Sequence, residues 1–266
     1  MLDVEFAQLS DIGKVRDHNE DYAGYVTPAT PEEARSHGWL FALADGVGGH
    51  EKGEVASREA VESLLAGFRQ ATVAETHETL LTRLIQSANA HVYQMGRDGS
   101  PGGVAMATTL VACSFRYDRA VVAHVGDSRC YLVRRGEAMV LTRDHTVVND
   151  QMRLGLLSAR EAAEASTRHL LSRSIGNNLF VAIDTSDHQI FTGDVMVLCS
   201  DGLHGCVEKS EIAALTGNGG DLNKAAERLV AVANQRDGGD NITVQIIRVL
   251  GVERMGMYRG RPYKLR

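Results

Sequence analysis

The stretch TTLVACSFRYDRAVVAHVGDSRCYLV, residues 108–133, decides the fold of this chain. It contains three apolar runs, Thr108–Phe115, Ala120–Val125 and Tyr131–Val133, which show little alternation between apolar and polar residues. Such runs are typical of strands that are covered on both faces. The link between the second and third runs is short and contains glycine, which suits antiparallel neighbours better than a helical crossover. The stretch therefore predicts buried antiparallel strands.

The rest of the chain supplies further strands and the helices that cover them. Apolar residues recur at intervals of three and four over 53–70 and 76–95, which predicts two consecutive helices, and a third helix is expected near 221–235. Residues 145–176 form a polar, helix-rich insertion. The remaining predicted strands are Trp39–Ala44, Val195–Cys199 and Ile242–Val249. Together these patterns predict an α+β fold in which two packed antiparallel sheets are covered by helices, with no linker inside 1–250.

Composition narrows the class of protein. The 266 residues are 44% hydrophobic and 23% charged, which is ordinary for a globular chain, and the net charge of −6 argues against a nucleic-acid partner. The N-terminus shows no signal peptide, and the longest uncharged stretch, 99–115, is too short and too polar to span a membrane. The four cysteines lack C-x-x-C spacing and are interpreted as reduced thiols, which predicts a cytoplasmic protein.

Charge is distributed unevenly between the last residues and the rest of the chain. Residues 251–266 hold five basic residues and one acid, a local charge of +4, so the preceding residues carry −10. This basic tail could lie on the acidic surface of its own domain, or it could dock an acidic partner or substrate protein. Both interpretations place the end of the domain near residue 250.

Carboxylates stand beside the ends of the apolar runs, next to glycine. The acids concerned are Asp45, Asp127, Asp201 and Asp240. Turn chemistry explains any one of them, but it explains four in the same context less well. Carboxylates gathered at one end of a sheet repel one another unless a cation joins them, and a set of oxygen ligands selects Mg²⁺ or Mn²⁺ rather than zinc.

Seven motifs in order resemble one family. They are RDHNED (16–21), ADGVGGH (44–50), ATTLV (107–111), HVGDSR (124–129), LTRDHT (141–146), CSDGLHG (199–205) and GGDNITVQII (238–247). Over essentially 1–250, the chain resembles bacterial members of the protein phosphatase 2C family, the metal-dependent serine/threonine phosphatases. The resemblance implies an α-β-β-α sandwich with a bacterial-type flap at about 145–176. It also implies hydrolysis of phosphoserine and phosphothreonine on proteins by a hydroxide that bridges two metal ions.

The resemblance also implies a role for particular residues. Two tightly bound Mn²⁺ or Mg²⁺ ions and a third, weaker ion are expected. Asp45 would bridge the first two ions. The Gly46 carbonyl would bind one of these ions, Asp201 and Asp240 would bind the other, and Glu20 and Asp21 would act through water. Asp127 would bind the third ion, and Arg16 would bind the substrate phosphate. The implied partners are phosphorylated proteins and a cognate serine/threonine kinase.

The chain departs from the family pattern in two places. Val47 stands where eukaryotic members carry a histidine that is the proposed general acid, and the nearby His50 is interpreted as structural. In the flap, Ala165 and Ser166 replace the usual His-Pro pair. The resemblance therefore does not define the position of the flap or the substrate preference.

Two other functions compete with the phosphatase interpretation. Gly126-Asp127-Ser128 followed by Asp201-x-x-His204 resembles the serine nucleophile and the acid–base pair of GDSL-type hydrolases. Against this, the block lies in mid-chain, Arg129 replaces leucine, and Asp45 would have no role. The second alternative is a catalytically silent module that binds phosphoproteins, since a fold does not by itself imply a function.

Overall fold

The computed structural model describes residues 1–47, 52–71, 75–98, 106–258 and 261–264. The strands are β1 Asp3–Asp11, β2 Asp21–Val26, β3 Trp39–Asp45, β4 Leu110–Arg116, β5 Arg119–Val125, β6 Arg129–Arg134, β7 Glu137–Val140, β8 Asp184–Gln189, β9 Val195–Cys199, β10 Ile242–Gly251, β11 Met255–Tyr258 and β12 Arg261–Lys264. The helices are α1 Pro31–Ser36, α2 Gly53–Gln70, α3 His77–Asp98, α4 Val147–Arg153, α5 Ala159–Glu164, α6 Asp201–His204, α7 Lys209–Thr216 and α8 Leu222–Arg236.

Two five-stranded antiparallel sheets form the centre of the molecule. The first sheet has the order β1-β10-β9-β6-β7, and the second has the order β2-β3-β4-β5-β8. The quoted stretch 108–133 supplies β4 and β5 to the second sheet and the beginning of β6 to the first. The turn between β5 and β6 therefore joins the two sheets, and it lies at one end of both.

Three apolar clusters hold four layers together. The first lies between the second sheet and the helices α2 and α3, where Leu64 and Phe68 are buried against Leu40. The second lies between the first sheet and the helices α7 and α8, and the third lies between the two sheets. Each fully buried Leu or Phe contributes about 1.5–3 kcal/mol relative to an exposed one. The predicted α-β-β-α sandwich is confirmed.

Four strands of the two sheets were not anticipated by the sequence patterns. They are β1, β2, β7 and β8, and each lies at an edge of its sheet. Strand β8, DTSDHQ, contains no aliphatic residue, and it pairs through its backbone with β5. An edge strand can be polar because one side of its backbone and much of its surface face water.

The predicted flap, residues 145–176, leaves the first sheet after β7 and returns before β8. It contains the short helices α4 and α5, whose first turns are capped by Thr146 and Ser158. Caps of this kind satisfy backbone N–H groups that have no partner inside the helix. The flap is thus built from polar local interactions and packs one face toward the end of the sandwich that is described below.

The last residues pair as a hairpin of β11 and β12. Strand β10 ends at Gly251, and the next residues include Glu253, which is buried and forms an ion pair with Arg35 at 3.2 Å. Among the residues that the structure describes, no helix is both long and apolar enough to cross a membrane.

Candidate active site

Five aspartates from different strands come together at one end of the sandwich. Asp45 ends β3, and Asp21 begins β2 directly opposite it in register. Asp127 lies in the β5–β6 turn, Asp201 follows β9 at the start of α6, and Asp240 immediately precedes β10. All four of the other acids are close enough to Asp45 to act on its charge. We call these five residues the carboxylate cluster.

The cluster concentrates negative charge, and the pKa values of three of its members, Asp21, Asp45 and Asp127, are raised. Burial is the main cause that raises the pKa of Asp45 well above its usual value, and the neighbouring acids raise it further. Burial likewise raises the pKa of Asp21 to about 7 and that of Asp127 to about 7, and in both cases the charge of Asp201 adds to the effect. Each shift means that negative charge accumulates here without enough positive charge to balance it.

Two oxygens of the cluster are buried without a hydrogen-bond donor. Asp21 Oδ1 and Asp201 Oδ1 have no partner within the part of the chain that the structure describes. A buried carboxylate oxygen without a donor is costly, and hard divalent cations bind preferentially to oxygen. The unpartnered oxygens, together with the crowding of five carboxylates, fit a site for Mg²⁺ or Mn²⁺.

Neutral hydroxyl groups orient the acids. Thr109 Oγ1 accepts the backbone N–H of Asp45 at 2.9 Å, and Thr108 Oγ1 donates to the Asp45 carbonyl at 2.7 Å. On the opposite sheet, Ser200 Oγ donates to Asp21 Oδ2 at 2.7 Å. These hydroxyls fix the backbone of Asp45 and the carboxylate of Asp21, and because they carry no charge they leave the negative charge of the cluster uncompensated.

Arg16 and Glu20 lie beside the cluster on the loop before β2. Arg16 Nη2 donates to Asp240 Oδ2 at 2.8 Å, and both side chains are partly exposed. Burial raises the pKa of Glu20. Its carboxylate packs closely against α2: a Cβ atom on Gly53 would lie 2.9 Å from Glu20 Cδ, so a larger residue there would displace the Glu20 carboxylate.

The Gly46 backbone lies in the same crowded corner. Its N–H donates to the Glu20 carbonyl at 3.1 Å, and a Cβ atom on Gly46 would lie 2.4 Å from the Gly53 carbonyl oxygen. The structure therefore brings together all eight site residues that the sequence predicted: Arg16, Glu20, Asp21, Asp45, Gly46, Asp127, Asp201 and Asp240.

Asn241 organises the loop that carries Arg16, and the sequence motifs did not single it out. Its Nδ2 donates to the carbonyls of Ile12 and His18 at 2.9 and 3.0 Å, and its Oδ1 accepts the N–H of Glu20 at 2.8 Å. The amide thus ties both ends of the loop to the beginning of β10. Its position directly after Asp240 was the one signal of this role in the sequence.

A cleft of about 980 Å³ opens above the cluster. Arg16, Asp127 and Asp240 line one side, and the flap contributes Met152 and Ala162 to the other. The site can therefore receive a ligand whose anionic part reaches the cluster and whose remaining part contacts the flap.

Comparisons with known proteins agree with this geometry. The family model described as Protein phosphatase 2C matches residues 18–238. The chain belongs to the protein phosphatase 2C family. It is 34% identical over 260 residues to the serine/threonine phosphatase stp of Listeria innocua, with 95% of this chain and 96% of the relative covered. It is 32% identical to the protein phosphatase PhpP of Streptococcus pneumoniae, with 92% and 97% covered.

Solved structures of the family superpose on the whole sandwich. The serine/threonine phosphatase of S. agalactiae matches with a TM-score of 0.83 and 33% identity, covering 92% of this chain and 99% of that chain. The catalytic domain of the phosphatase PstP, solved in complex with two manganese ions, matches with a TM-score of 0.77 and 31% identity, covering 94% and 100%. The family is metal-dependent, as the carboxylate cluster of this chain leads one to expect.

Family membership leaves little room for the serine hydrolase interpretation, and local contacts also disfavour it. Ser128 is buried, and its Oγ lies 2.7 Å from Thr109 Oγ1 rather than facing the cleft. His204 Nε2 lies 3.0 Å from the carbonyl oxygen of Asp127. A nucleophilic serine needs an exposed hydroxyl within reach of its base, and neither condition is met.

The departures of this chain from the family pattern lie after β3 and in the flap. Val47 is partly buried and its N–H donates to the carbonyl of Ala107 at 2.9 Å, so no titratable side chain occupies this position. His50 lies outside the described residues. Ala165 ends α5 in the flap, and its N–H donates to the carbonyl of Ala162.

Proposed function

We propose that this protein removes phosphate from phosphoserine and phosphothreonine in proteins, using Mn²⁺ or Mg²⁺. Membership of the protein phosphatase 2C family supports the reaction class. The observation that carries the proposal is the carboxylate cluster, whose raised pKa values and unpartnered oxygens fit divalent cations at the floor of an open cleft. A silent binding module has no use for so costly a concentration of negative charge.

Particular residues of the cluster would hold the cations. Asp45 and the Gly46 carbonyl would bind at the end of β3. Asp201 would bind at the end of β9 and Asp240 at the beginning of β10, and Glu20 and Asp21 would act through water. Asp127 would bind a third, weaker ion. When bound, such ions lower the pKa of water and offset the charge of a phosphate dianion.

The remaining chemistry belongs to the protein itself. Arg16 presents a planar guanidinium beside the cluster, which suits the oxygens of a phosphate group. Asn241 holds the loop of Arg16 in place, and the buried hydroxyls of Thr108 and Thr109 fix the backbone of Asp45. Because Val47 has no titratable group, the proton for the leaving alkoxide does not come from this position.

A simple assay separates the phosphatase from its two alternatives. We expect hydrolysis of an aryl phosphate that stops in chelator and returns with Mn²⁺. Esterase activity that persists in chelator would favour the serine hydrolase. If neither the aryl phosphate nor an ester is hydrolysed but phosphopeptide binding is retained, the silent module would be favoured.

We also propose the organisation and cellular setting that the sequence predicted. The catalytic domain spans 1–250 with its flap at 145–176, and 251–266 is a basic tail. The position of Gly251 at the end of β10 supports this boundary. The protein acts in the cytoplasm on phosphorylated proteins, including those of a cognate serine/threonine kinase. The four free thiols, three of them buried, support a reducing compartment.

A further inference from the structure

A second polar cluster lies at the base of the flap, next to the β5–β6 turn that carries Asp127. It consists of His124 on β5, Arg143 and His145 before α4, Arg173 after α5, and Asp184 at the start of β8. We call it the His145 cluster. His145 is 1% exposed, and its ring stacks on that of His124 with centroids 4.7 Å apart. The proposed function gives these residues no task.

The His145 cluster has the ligand types of a metal site but not the free ligand atoms. One atom each of His124, His145 and Asp184 lie within 4.8 Å of one another. However, Asp184 already accepts from Arg143 and Arg173, each at 2.8 Å, and His124 Nε2 lies 2.9 Å from the Arg143 carbonyl oxygen. A cation would have to displace two guanidinium groups that already neutralise the carboxylate. The contacts therefore favour a structural junction.

His145 forms two hydrogen bonds with Gly126, one as a donor and one as an acceptor. Its backbone N–H donates to the Gly126 carbonyl at 2.9 Å, and its Nδ1 accepts the Gly126 N–H at 3.2 Å. Its Nε2 lies 3.3 Å from Asp184 Oδ2. Nδ1 can accept only when it is unprotonated, so the ring proton lies on Nε2 and points to Asp184. Burial lowers the pKa of His145 to about 4, which keeps the ring neutral at ordinary pH.

The Gly126 backbone determines where Asp127 stands. Gly126 has a φ of +104°, and a Cβ atom there would lie 2.6 Å from the Thr109 side chain, so the turn is enclosed on that side. The other side is held by His145. The end of the flap reaches the same place, because the Ser172 N–H donates to the His145 carbonyl at 2.9 Å and the next residue, Arg173, binds Asp184.

We propose that His145 is a positioning residue that fixes Asp127 through Gly126 and connects the base of the flap to the carboxylate cluster. The inference rests on the proposed function in one respect, namely that Asp127 binds the weaker metal ion. Its consequence is that metal binding at Asp127 and the order of the flap depend on the same imidazole.

Two substitutions separate the two contacts of the imidazole. In His145→Asn, the amide oxygen can stand near the place of Nδ1 and accept from Gly126. In His145→Gln, the longer amide can reach toward Asp184, but the acceptor for Gly126 is lost. The matched controls are His188→Asn and His188→Gln, because His188 lies on β8 and contacts Ser186 away from the cleft.

The first readout is Mn²⁺ binding by calorimetry, with Asp127→Ala as the reference for loss of the weaker site. We expect His145→Gln to weaken that site by roughly tenfold or more, as is common when a residue that orients a metal ligand is changed. His145→Asn and both His188 variants should stay within about threefold of the wild type. The tight sites should be unchanged in every variant.

The second readout is trypsin cleavage at the exposed flap residues Arg153, Arg160 and Arg168. We expect His145→Gln to be cut faster than His145→Asn, because the flap loses its hold on the β5–β6 turn. If His145→Gln does not fold, His145→Leu replaces it, since leucine has a similar shape to asparagine but has no acceptor for the Gly126 N–H. The same weakening of the weaker Mn²⁺ site is then expected.

Three results would overturn the inference. If Asp127→Ala loses the weaker site and His145→Gln keeps it, His145 does not position Asp127. If His145→Gln removes a tight site that Asp127→Ala keeps, the His145 cluster is itself a metal site. If Asp127→Ala leaves Mn²⁺ binding unchanged, the role of Asp127 fails and this inference fails with it, whereas Mn²⁺-dependent phosphatase activity in that variant would still support the proposed function.

Discussion

Two groups of acidic residues in this molecule differ in whether arginine neutralises them. Asp144 accepts from Arg129 at 2.8 and 2.6 Å, and Asp194 accepts from Arg134 at 2.8 and 2.6 Å. In the carboxylate cluster, by contrast, Asp45 is surrounded by other acids. Arginine therefore neutralises Asp144 and Asp194, whereas Asp45, at the centre of the proposed metal site, has other acids as its neighbours.

One acid of the carboxylate cluster, Asp240, is a partial exception to this contrast. Asp240 does face a guanidinium, that of Arg16, but both side chains are about 40% exposed at the mouth of the cleft. Arg129 and Arg134 instead form two-pronged contacts with largely buried acids. A single exposed contact leaves Arg16 able to bind a phosphate, whereas a paired guanidinium is committed to its carboxylate.

The largest effect is expected from Asp45→Asn, which removes the central charge of the cluster. Mn²⁺-dependent turnover should fall by about a hundredfold or more, because several kcal/mol of charge stabilisation by the metal are lost. In chelator, however, the variant should have a higher free energy of unfolding than the wild type, since it lacks a carboxylate whose ionisation is opposed first by burial and then by four neighbouring acids. Aryl phosphate turnover and thermal unfolding with EDTA measure the two effects.

The matched control is Asp194→Asn, which breaks a paired carboxylate instead. Its free energy of unfolding should fall by about 1–3 kcal/mol, because Arg134 loses its partner, while turnover stays within about twofold. Wild-type turnover in Asp45→Asn would contradict the proposed role of the cluster. A lower melting temperature of Asp45→Asn than of the wild type in EDTA would contradict the interpretation that the ionised Asp45 destabilises the metal-free protein.

The next effect concerns the neutral groups that hold the cluster. Asn241→Asp keeps the shape of the side chain but replaces the Nδ2 donor to Ile12 and His18 with a charge beside Asp240. The loop of Arg16 should loosen, so kcat/KM should fall by roughly tenfold and inorganic phosphate should inhibit more weakly. Steady-state kinetics with phosphate as a competitive inhibitor measure both.

The control for this change is Asn223→Asp, which adds the same charge at an exposed position of α8. It should leave kcat/KM unchanged. If the two variants behave alike, Asn241 does not position Arg16.

Four acids of the cluster could be predicted because they stand beside the ends of apolar strands, whereas the role of Asp21 was implied only by the family resemblance. The sandwich could be predicted because central strands are apolar on both faces. The edge strands β2 and β8 escaped this reasoning because an edge strand is recognised by its pairing rather than by its composition. Asn241 and His145 were missed as site residues for a related reason. Their roles depend on backbone groups of distant segments, Ile12 and Gly126, and no local pattern reveals such contacts.

The third effect follows from the pKa values of Asp21 and Asp127, both raised to about 7 from an ordinary 3.8. Between about pH 4 and pH 7, the folded protein in chelator binds more protons than the unfolded chain. Its free energy of unfolding must therefore fall as the pH rises through this window. We expect the melting temperature in EDTA to drop by roughly 5 °C or more between pH 5 and pH 7.5.

Mn²⁺ should flatten or reverse this dependence, because the ion binds the ionised carboxylates and so favours the folded state at higher pH. Asp127→Asn should remove part of the slope seen in EDTA, since one of the two shifted groups is gone. A melting temperature that rises from pH 5 to pH 7.5 in EDTA would mean that these acids are ionised without a metal ion.

The smallest effect is expected from deleting the basic tail. Residues 251–266 carry a surplus of basic groups, whereas the rest of the chain carries a surplus of acids. Glu253 is buried against Arg35, so a deletion that begins at residue 254 spares this contact and removes the β11–β12 hairpin. Deleting 254–266 should leave the melting temperature and aryl phosphate turnover almost unchanged, because an aryl phosphate is too small to need a docking surface.

If the tail docks an acidic region of a phosphoprotein, KM for that substrate should rise by about two- to fivefold at low salt, and the difference should vanish at high salt because exposed charges are screened. Equal KM values at low salt would mean that the tail lies on its own domain, and an unfolded deletion variant would mean that the hairpin is part of the fold.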